Sequence, residues 1–544
     1  MARSSIALVL FFLAVSAACA ADWIQQGADP GMTKYSPDNI PADSLLGLSY
    51  TKRFLGMWAG YTGDYHYGNN IVIRDGQAMV FSSDVAYTSP MHLRMTLFDW
   101  ATGTTTGQYN QPNYSDFRGN NSFQVGAHAR EIDSHHFTTA IIWNSDNKIY
   151  AHRGGDWNVL GAFDVETATW KKLQQYNSAP GYSSWGGDAT ALFNIRFDRL
   201  IYRPGDTREN NAWMAVDISP TAYVMNTPGA WAATLPVSAP FVPGDNWNNA
   251  LRFGDVPKVS GATVVTASRG YDSTNGYRMY VDGRNIITGQ LMWSKSYASD
   301  TGGTNGFYAS VSDYWRFVGS DEGYYACYSR PFGQSPTLHV INSFTGANQF
   351  DYTFGSAALG DAPLMAMHGN YLYAIGQHEQ NKFDMTTGEK VWSRAGTYTS
   401  GYIMHNYENG AAMTQDPLYA PMVLTDDTLW FIDGNNSAKA DLVGMRTSDG
   451  QVIQTIHLAD MIKQNAANES LLVVNDLVEV DGKIGVLMGI QDANDPNPTA
   501  TPGPAHNNGI RYQDLYVFDV QVPEPASLCL LASGAMALLA RRRK

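Results

Sequence analysis

Between positions 369 and 395 the rhythm of apolar and polar residues changes repeatedly. Tyr371–Ile375 alternates with the period of two that sends successive side chains to opposite faces of a strand, and Lys382–Met385 does so again. Thr386-Thr387-Gly388-Glu389 then interrupts, with Gly388 free to take positive φ, before Lys390–Ser393 resumes the alternation. The pattern predicts a β-meander with a tight turn before its last strand.

Variants of this unit recur at 97–109, 148–173, 199–219, 278–295, 338–350, 429–456 and 515–520. Aligning each on the position of Asp384 gives Asp99, Asp164, Asp217, Ile287, Ile341, Met445 and Asp519, spaced on average about 60 residues apart. Eight β-rich units at such intervals predict an all-β propeller of eight blades, or seven with long insertions. Separate sandwich or jelly-roll modules fit less well, because no proline-rich linker divides the chain. The one such stretch, DANDPNPTATPGPAHNN at 492–508, lies inside the last repeat and reads as a loop.

The ends follow a different plan. MARSSIALVLFFLAVSAACA has a cation at Arg3, an apolar core over Ile6–Val15 and small residues at Ala18-Cys19-Ala20, the layout of a secretory signal peptide over 1–20 with a mature start at Ala21. The last segment, 522–544, opens with Pro523-Glu524-Pro525. It continues through an uncharged run over Ala526–Ala540 and closes with Arg541, Arg542, Arg543 and Lys544. As a helix that run would be about 22 Å long, short of the roughly 30 Å hydrocarbon core unless the bilayer thins or the arginines snorkel. The terminal cations would stay on the cytoplasmic side and the body outside.

The tail resembles the PEP-CTERM sorting signals of bacterial exported proteins in order, spacing and position. That resemblance implies an exosortase as partner, processing near Pro523-Glu524-Pro525, transient membrane association through the tail, and a cell-surface or extracellular destination. An ordinary tail anchor is the plainer alternative. The body, 21–521, resembles the pyrroloquinoline-quinone-like (PQQ-like, quinoprotein) β-propellers, whose blades end in a D-x-x-T-G-x-x-x-W turn and strand. Asp384–Trp392 matches it throughout, Ile287–Trp293 in part, and Phe344-Thr345-Gly346 in the turn alone. In that family the tryptophan docks between blades, which assigns such a role to Trp170, Trp293 and Trp392.

Composition narrows the chemistry. The formal net charge is −14, and the body is more acidic still because four cations sit in the tail. A body of this sign repels phosphate backbones, which argues against a nucleic-acid partner. Of three cysteines only Cys327 belongs to the body, so no disulfide forms within one mature chain, and the adjacent-cysteine bridge of many quinoprotein enzymes is missing. No quinone or calcium ligand carries over residue by residue. HAREIDSHH at 128–136 gathers histidines and charged groups, but alternate strand residues face opposite ways, so a solvated loop is the better reading than a metal site. Loops at 56–70, 179–188 and 396–410 mix Tyr and Trp with Gly, Asn and Asp, a composition suited to stacking on sugars or to covering blade edges. The expectation is an exported, non-catalytic surface or matrix propeller without cofactor, metal or catalytic residues, binding exopolysaccharide or surface proteins. A PQQ-dependent dehydrogenase or a polysaccharide-active hydrolase or lyase is the alternative.

Overall fold

The computed structural model describes residues 22–23, 28–29, 31–55, 71–83, 93–110, 123–124, 129–131, 136–143, 157–164, 169–175, 193–196, 199–202, 212–217, 231–234, 258–272, 276–298, 317–329, 331, 334–355, 363–376, 378–396, 398, 421–434, 439–492 and 512–521; between 123 and 257 it does so essentially as backbone. These residues form eight antiparallel sheets, each an up-and-down meander. Blade 1 runs over 72–110, blade 2 over 123–175, blade 3 over 193–234 and blade 4 over 258–298. Blade 5 spans 318–353, blade 6 364–395 and blade 7 422–457, while blade 8 combines 469–520 with the strand Leu46–Leu55. The first strands of blades 3 to 8 pack side by side in succession, as do those of blades 1 and 2. Asp476 of blade 8 accepts the Ile71 N–H at the entry to blade 1 at 2.9 Å, joining the last blade to the first. The molecule is an eight-bladed β-propeller.

Burial within a blade is graded. In blade 6 the first two strands, Leu364–His368 and Tyr371–Ile375, are buried at all but one position each, whereas the outermost, Lys390–Ala395, is exposed at nearly every residue. A blade is covered on both faces by its neighbours near the centre and opens to solvent at its edge, so strict alternation survives mainly in outer strands such as Asn348–Thr353. The meander therefore has four strands where the sequence pattern showed three; Leu364–His368 is too uniformly apolar to alternate.

The turn before each outer strand is built the same way in five blades. The N–H groups of Gly103, Gly289, Gly346, Gly388 and Gly450 donate at 2.8 Å to the carbonyls of Asp99, Asn285, Asn342, Asp384 and Arg446. Each glycine sits at φ between +71° and +75°, where a Cβ is strained. In four of them the Asp or Asn side chain also caps the turn, as Asp384 Oδ1 does by accepting the Thr386 N–H at 2.8 Å. The repeat positions Ile287, Ile341 and Met445 are accordingly off by one or two residues, the structural anchors being Asn285, Asn342 and Arg446.

These turns are also docking surfaces. Trp293 of blade 4 donates its indole N–H to Ser343 O of blade 5 at 2.7 Å, and its ring lies where a Cβ on Gly346 would stand. Trp392 repeats this from blade 6 to blade 7 with Thr447 O and Gly450. Tyr50 repeats it from blade 8 to blade 1 with Trp100 O and Gly103. Phe350 packs on Gly388 without the hydrogen bond. Only a glycine at the turn leaves room for the incoming ring, so its two demands, positive φ and missing Cβ, coincide. The side chain of Trp170, on the outer strand Thr169–Gln175, lies outside the described residues.

The ring closes through blade 8, where Leu46–Leu55 pairs antiparallel with Tyr512–Val520. Arg53 clamps this joint, with both terminal nitrogens on Glu469 at 2.6 and 2.7 Å and Nε and one terminal nitrogen on Asp514 at 2.8 and 2.7 Å.

Four substitutions have expected outcomes in urea titrations. Gly388→Val loses about 1–2 kcal/mol from the left-handed backbone alone and more from the collision with Phe350, and Trp293→Ala costs about 3–5 kcal/mol, with Trp392→Ala costing less because its indole is only half-buried. Arg53→Ala leaves two buried carboxylates facing each other and costs about 2–3 kcal/mol, the low end for a broken buried pair because Arg53 itself is 43% exposed.

Candidate functional site at the closed channel mouth

Because adjacent strands are antiparallel, the turns joining strands one and two and strands three and four all lie on one face, here the turn face. The connections between strands two and three, and those from blade to blade, lie on the opposite, loop face. The described residues of 22–40, namely 22–23, 28–29 and 31–40, contact the turn-face ends of the first strands from blade to blade. Trp23 exchanges both backbone hydrogen bonds with Ile73 of blade 1, and Gly31 O accepts from Gly319 N of blade 5. Thr33 O accepts from Met367 N of blade 6, and Lys34 O and Ser36 N bond to Leu424 of blade 7. Asp38 then accepts the Asp481 N–H of blade 8 at 2.7 Å before the chain enters the closing strand.

This path is held under strain. Ala28, Met32 and Lys34 take φ of +75°, +56° and +63°, unusual for residues with a Cβ, and only the surrounding hydrogen bonds keep them there. Met32 and Lys34 are fully buried, and Lys34 Nζ donates to Met365 O at 2.7 Å.

Beside it opens a cavity of about 160 Å³ lined by Asp29, Tyr35, Asp321, Glu322 and His368, among others. Burial pushes the Asp29 carboxyl up to about 6, against hydrogen bonds from Thr33 and Gly31. His368 stacks on Tyr35 at 3.4 Å, and desolvation holds its imidazole below the ordinary value. Tyr35 donates to Asp426 at 2.9 Å. Two more buried carboxyls stand nearby on the first strand of blade 8. Burial raises Glu479 to about 8, although Ser36 and the Gly482 N–H donate to it, and Asp476 is raised well above its usual range.

A second constellation lies between blades 4 and 5. Ser329 Oγ, His339 and Asp351 form a chain of 2.8 and 2.7 Å contacts, and Tyr297 stacks on the imidazole at 3.8 Å. The residue types are those of a nucleophilic triad, but the order of exposure is reversed: Ser329 and His339 are 7% and 6% exposed while the Asp351 side chain meets solvent. His339 and Asp351 are direct cross-strand partners, and the arrangement satisfies a buried imidazole.

The residues singled out in the sequence are scattered by the fold. Cys327 is fully buried in the core shared by blades 4 to 6. Ala129–Glu131 pairs with Phe137–Thr139, while His128 and 132–135 lie outside the described residues. So do the loops 56–70, 179–188 and most of 396–410, and the tail residues Pro523, Glu524, Pro525, Arg541, Arg542 and Arg543. Tyr398 is described and packs edge-on against Phe431 at 5.0 Å, on the inner second strand of blade 7. Asp29, Tyr35 and His368 carry no local signal, since only the fold brings them together. Among the described residues no three His, Cys, Asp or Glu side chains converge as a metal site.

The family model for the PEP-CTERM protein-sorting motif matches residues 521–544, the mark of an exported protein sorted by an exosortase. No curated protein matches the chain. Among solved structures, BamB from Moraxella catarrhalis is 13% identical with a TM-score of 0.40, covering 87% of this chain and 99% of its own. A europium-containing methanol dehydrogenase is 11% identical with a TM-score of 0.39, covering 92% and 98%. Sqt1 of Saccharomyces cerevisiae is 9% identical with a TM-score of 0.42, covering 89% and 100%. The propeller assignment stands on the eight sheets themselves.

The buried carboxyls set a pH dependence. Folded values raised above the unfolded ones mean that the native state keeps protons the unfolded chain releases, so their contribution is complete at acid pH and is lost as pH rises through about 6 for Asp29 and about 8 for Glu479. Melting temperature should therefore fall between about pH 4 and pH 8, and Glu479→Gln should flatten the upper part of that decline. A melting temperature that rises over this interval would contradict the assignment.

Proposed function

We propose that the chain is an exported, non-catalytic binding or scaffold propeller of the cell surface or extracellular matrix, processed by an exosortase near Pro523-Glu524-Pro525. The observation that carries this reading is the crossing segment: Trp23 and residues 31–38 of the chain itself bond to the first strands of blades 1, 5, 6 and 7 and to blade 8, with Met32 and Lys34 fully buried among them. A channel spanned in this way at one end favours a rigid platform over a funnel that turns substrate over. The strands flanking 56–70, 179–188 and 396–410 are in each case the outer strand of one blade and the first of the next. Their facing ends thus lie on the loop face, which is the side suited to exopolysaccharide or surface proteins.

The test removes Val522–Lys544 and compares the product with the full chain. Circular dichroism should be unchanged, because the sheet of blade 8 ends at Val520. The truncated protein should be released from the cell envelope, and on incubation with pyrroloquinoline quinone and calcium it should neither hold a near-ultraviolet chromophore nor reduce an electron-accepting dye. Retention on immobilised exopolysaccharide without release of new reducing ends supports the binding role. Stoichiometric quinone uptake with dye reduction, or polysaccharide cleavage, would replace it with an enzymatic one.

A further inference from the structure

Among the described residues, the large apolar side chains that the fold leaves exposed gather on one rim of blades 4 to 8. Leu291 and Met292 of blade 4, Phe344 of blade 5, Val391 of blade 6, Val452 of blade 7 and Leu48 of blade 8 are between 41% and 49% exposed. Each lies in the turn before the outer strand, or within the first residues of that strand, in five consecutive blades. They make an apolar crescent on the outer rim of the turn face. Asp321, Glu322, Asp426, Asp427 and Asp481 of that face stand further in, in the turns that join first and second strands, whereas Asp384, Glu389 and Asp449 share the outer turns with the crescent.

The crescent ends where the sorting tail begins. Leu45, the most exposed of these side chains at 55%, precedes Leu48, and its carbonyl accepts the N–H of Gln521 at 2.8 Å. Tyr512–Val520 is the third strand of blade 8 and ends on the turn face, so the chain leaves the propeller there. From Gln521 to Ala526, the first residue of the apolar run, is five residues, a span of at most about 18 Å when fully extended. The polar layer of a bilayer is about 5–8 Å deep on each side. A tail inserted up to Ala526 therefore brings the rim of blade 8 to the lipid headgroups, and the rest of the crescent continues from that point around the same face.

We propose that, before its tail is processed, the propeller lies turn face down on the lipid surface, with the crescent of blades 4 to 8 as its contact and the loop face directed away. The occupant of the crescent is a bilayer surface. The apolar run is short for a full span, and membrane attachment by one weak hydrophobic anchor gains from a second contact alongside it. The proposal rests on the sorting reading of the tail and adds the orientation and the surface.

The test uses the full chain with Cys19 and Cys529 replaced by serine, Cys327 being buried, and a single environment-sensitive fluorophore placed through Leu45→Cys, Val452→Cys or, on the loop face, Ala395→Cys. The probe is a phosphatidylcholine vesicle carrying a headgroup spin label. Flotation with vesicles reports insertion of the tail, and quenching reports orientation. The expected result is flotation of all three variants, with quenching at positions 45 and 452 several-fold stronger than at 395. Replacing Leu48, Phe344 and Val391 together by serine in each labelled variant should keep flotation and equalise the quenching. Failure to float would overturn the sorting reading together with the proposal. Flotation with equal quenching, or stronger quenching at 395, would overturn the orientation alone. Concentration-dependent self-quenching at 45 and 452 without lipid would assign the crescent to a second copy of the chain and overturn the lipid contact.

Discussion

The antiparallel pairing of Leu46–Leu55 with Tyr512–Val520 is the joint on which the ring depends. It brings together positions more than 450 residues apart, as the Arg53–Asp514 contact does. The entropic cost of such a closure grows only slowly with the length enclosed, so its size is bearable once the intervening blades are in place. Before that, the strand has no partner, and blade 8 lacks its outer edge. Contacts of such long range are slow to form, and this one makes completion of the ring a late event in folding. It also fixes three other things: the entry of the crossing segment, the docking of Tyr50 on Gly103, and the point at which the C-terminal segment leaves.

The docking of outer strands on neighbouring turns spreads this closure around the ring. Each aromatic side chain requires a glycine in the next blade, and each glycine is already required by the turn that holds it. Where the aromatic is replaced, another contact takes its place: Gln454 of blade 7 exchanges two 2.8 Å hydrogen bonds with the backbone of Leu46 in blade 8. The same carbonyl position, three residues before the turn glycine, accepts from Trp293, Trp392 and Tyr50. A single local geometry thus serves a tryptophan, a tyrosine and, without the hydrogen bond, a phenylalanine.

That geometry explains how much was legible in the chain. The turn at Asp384–Gly388 could be read because its dihedral and capping needs admit few residue types, and the approximate count of blades followed from its recurrence. Where Asn or Arg stands for Asp, at 285, 342 and 446, the apparent repeat drifted by a residue or two. First strands such as Met422–Leu424 are short and buried on both faces, so they lack the alternation that announces a strand. The closing strand has no local signature, because its partner is at the other end of the sequence. Asp29 and Tyr35 of the crossing segment share a cavity with His368 of blade 6, and the chain carries no pattern that joins the two parts.

The antiparallel meander also divides the two faces by kind. Among the described residues the left-handed glycines other than Gly434, and the capping carboxylates of the outer turns, stand on one side, and the connections between second and third strands and between blades fall on the other. Length can vary on the loop face without disturbing docking, which is where recognition can be varied cheaply. The turn face has no such latitude, since a residue inserted at Gly388 or Gly450 would displace the ring seated on it. The crossing segment belongs to that constrained face: it exchanges backbone hydrogen bonds with blades 1, 5, 6 and 7, and Asp38 takes one from blade 8. The segment therefore acts as a tie between blades as well as a closure of the mouth, and its displacement would loosen the ring that the closing strand completes.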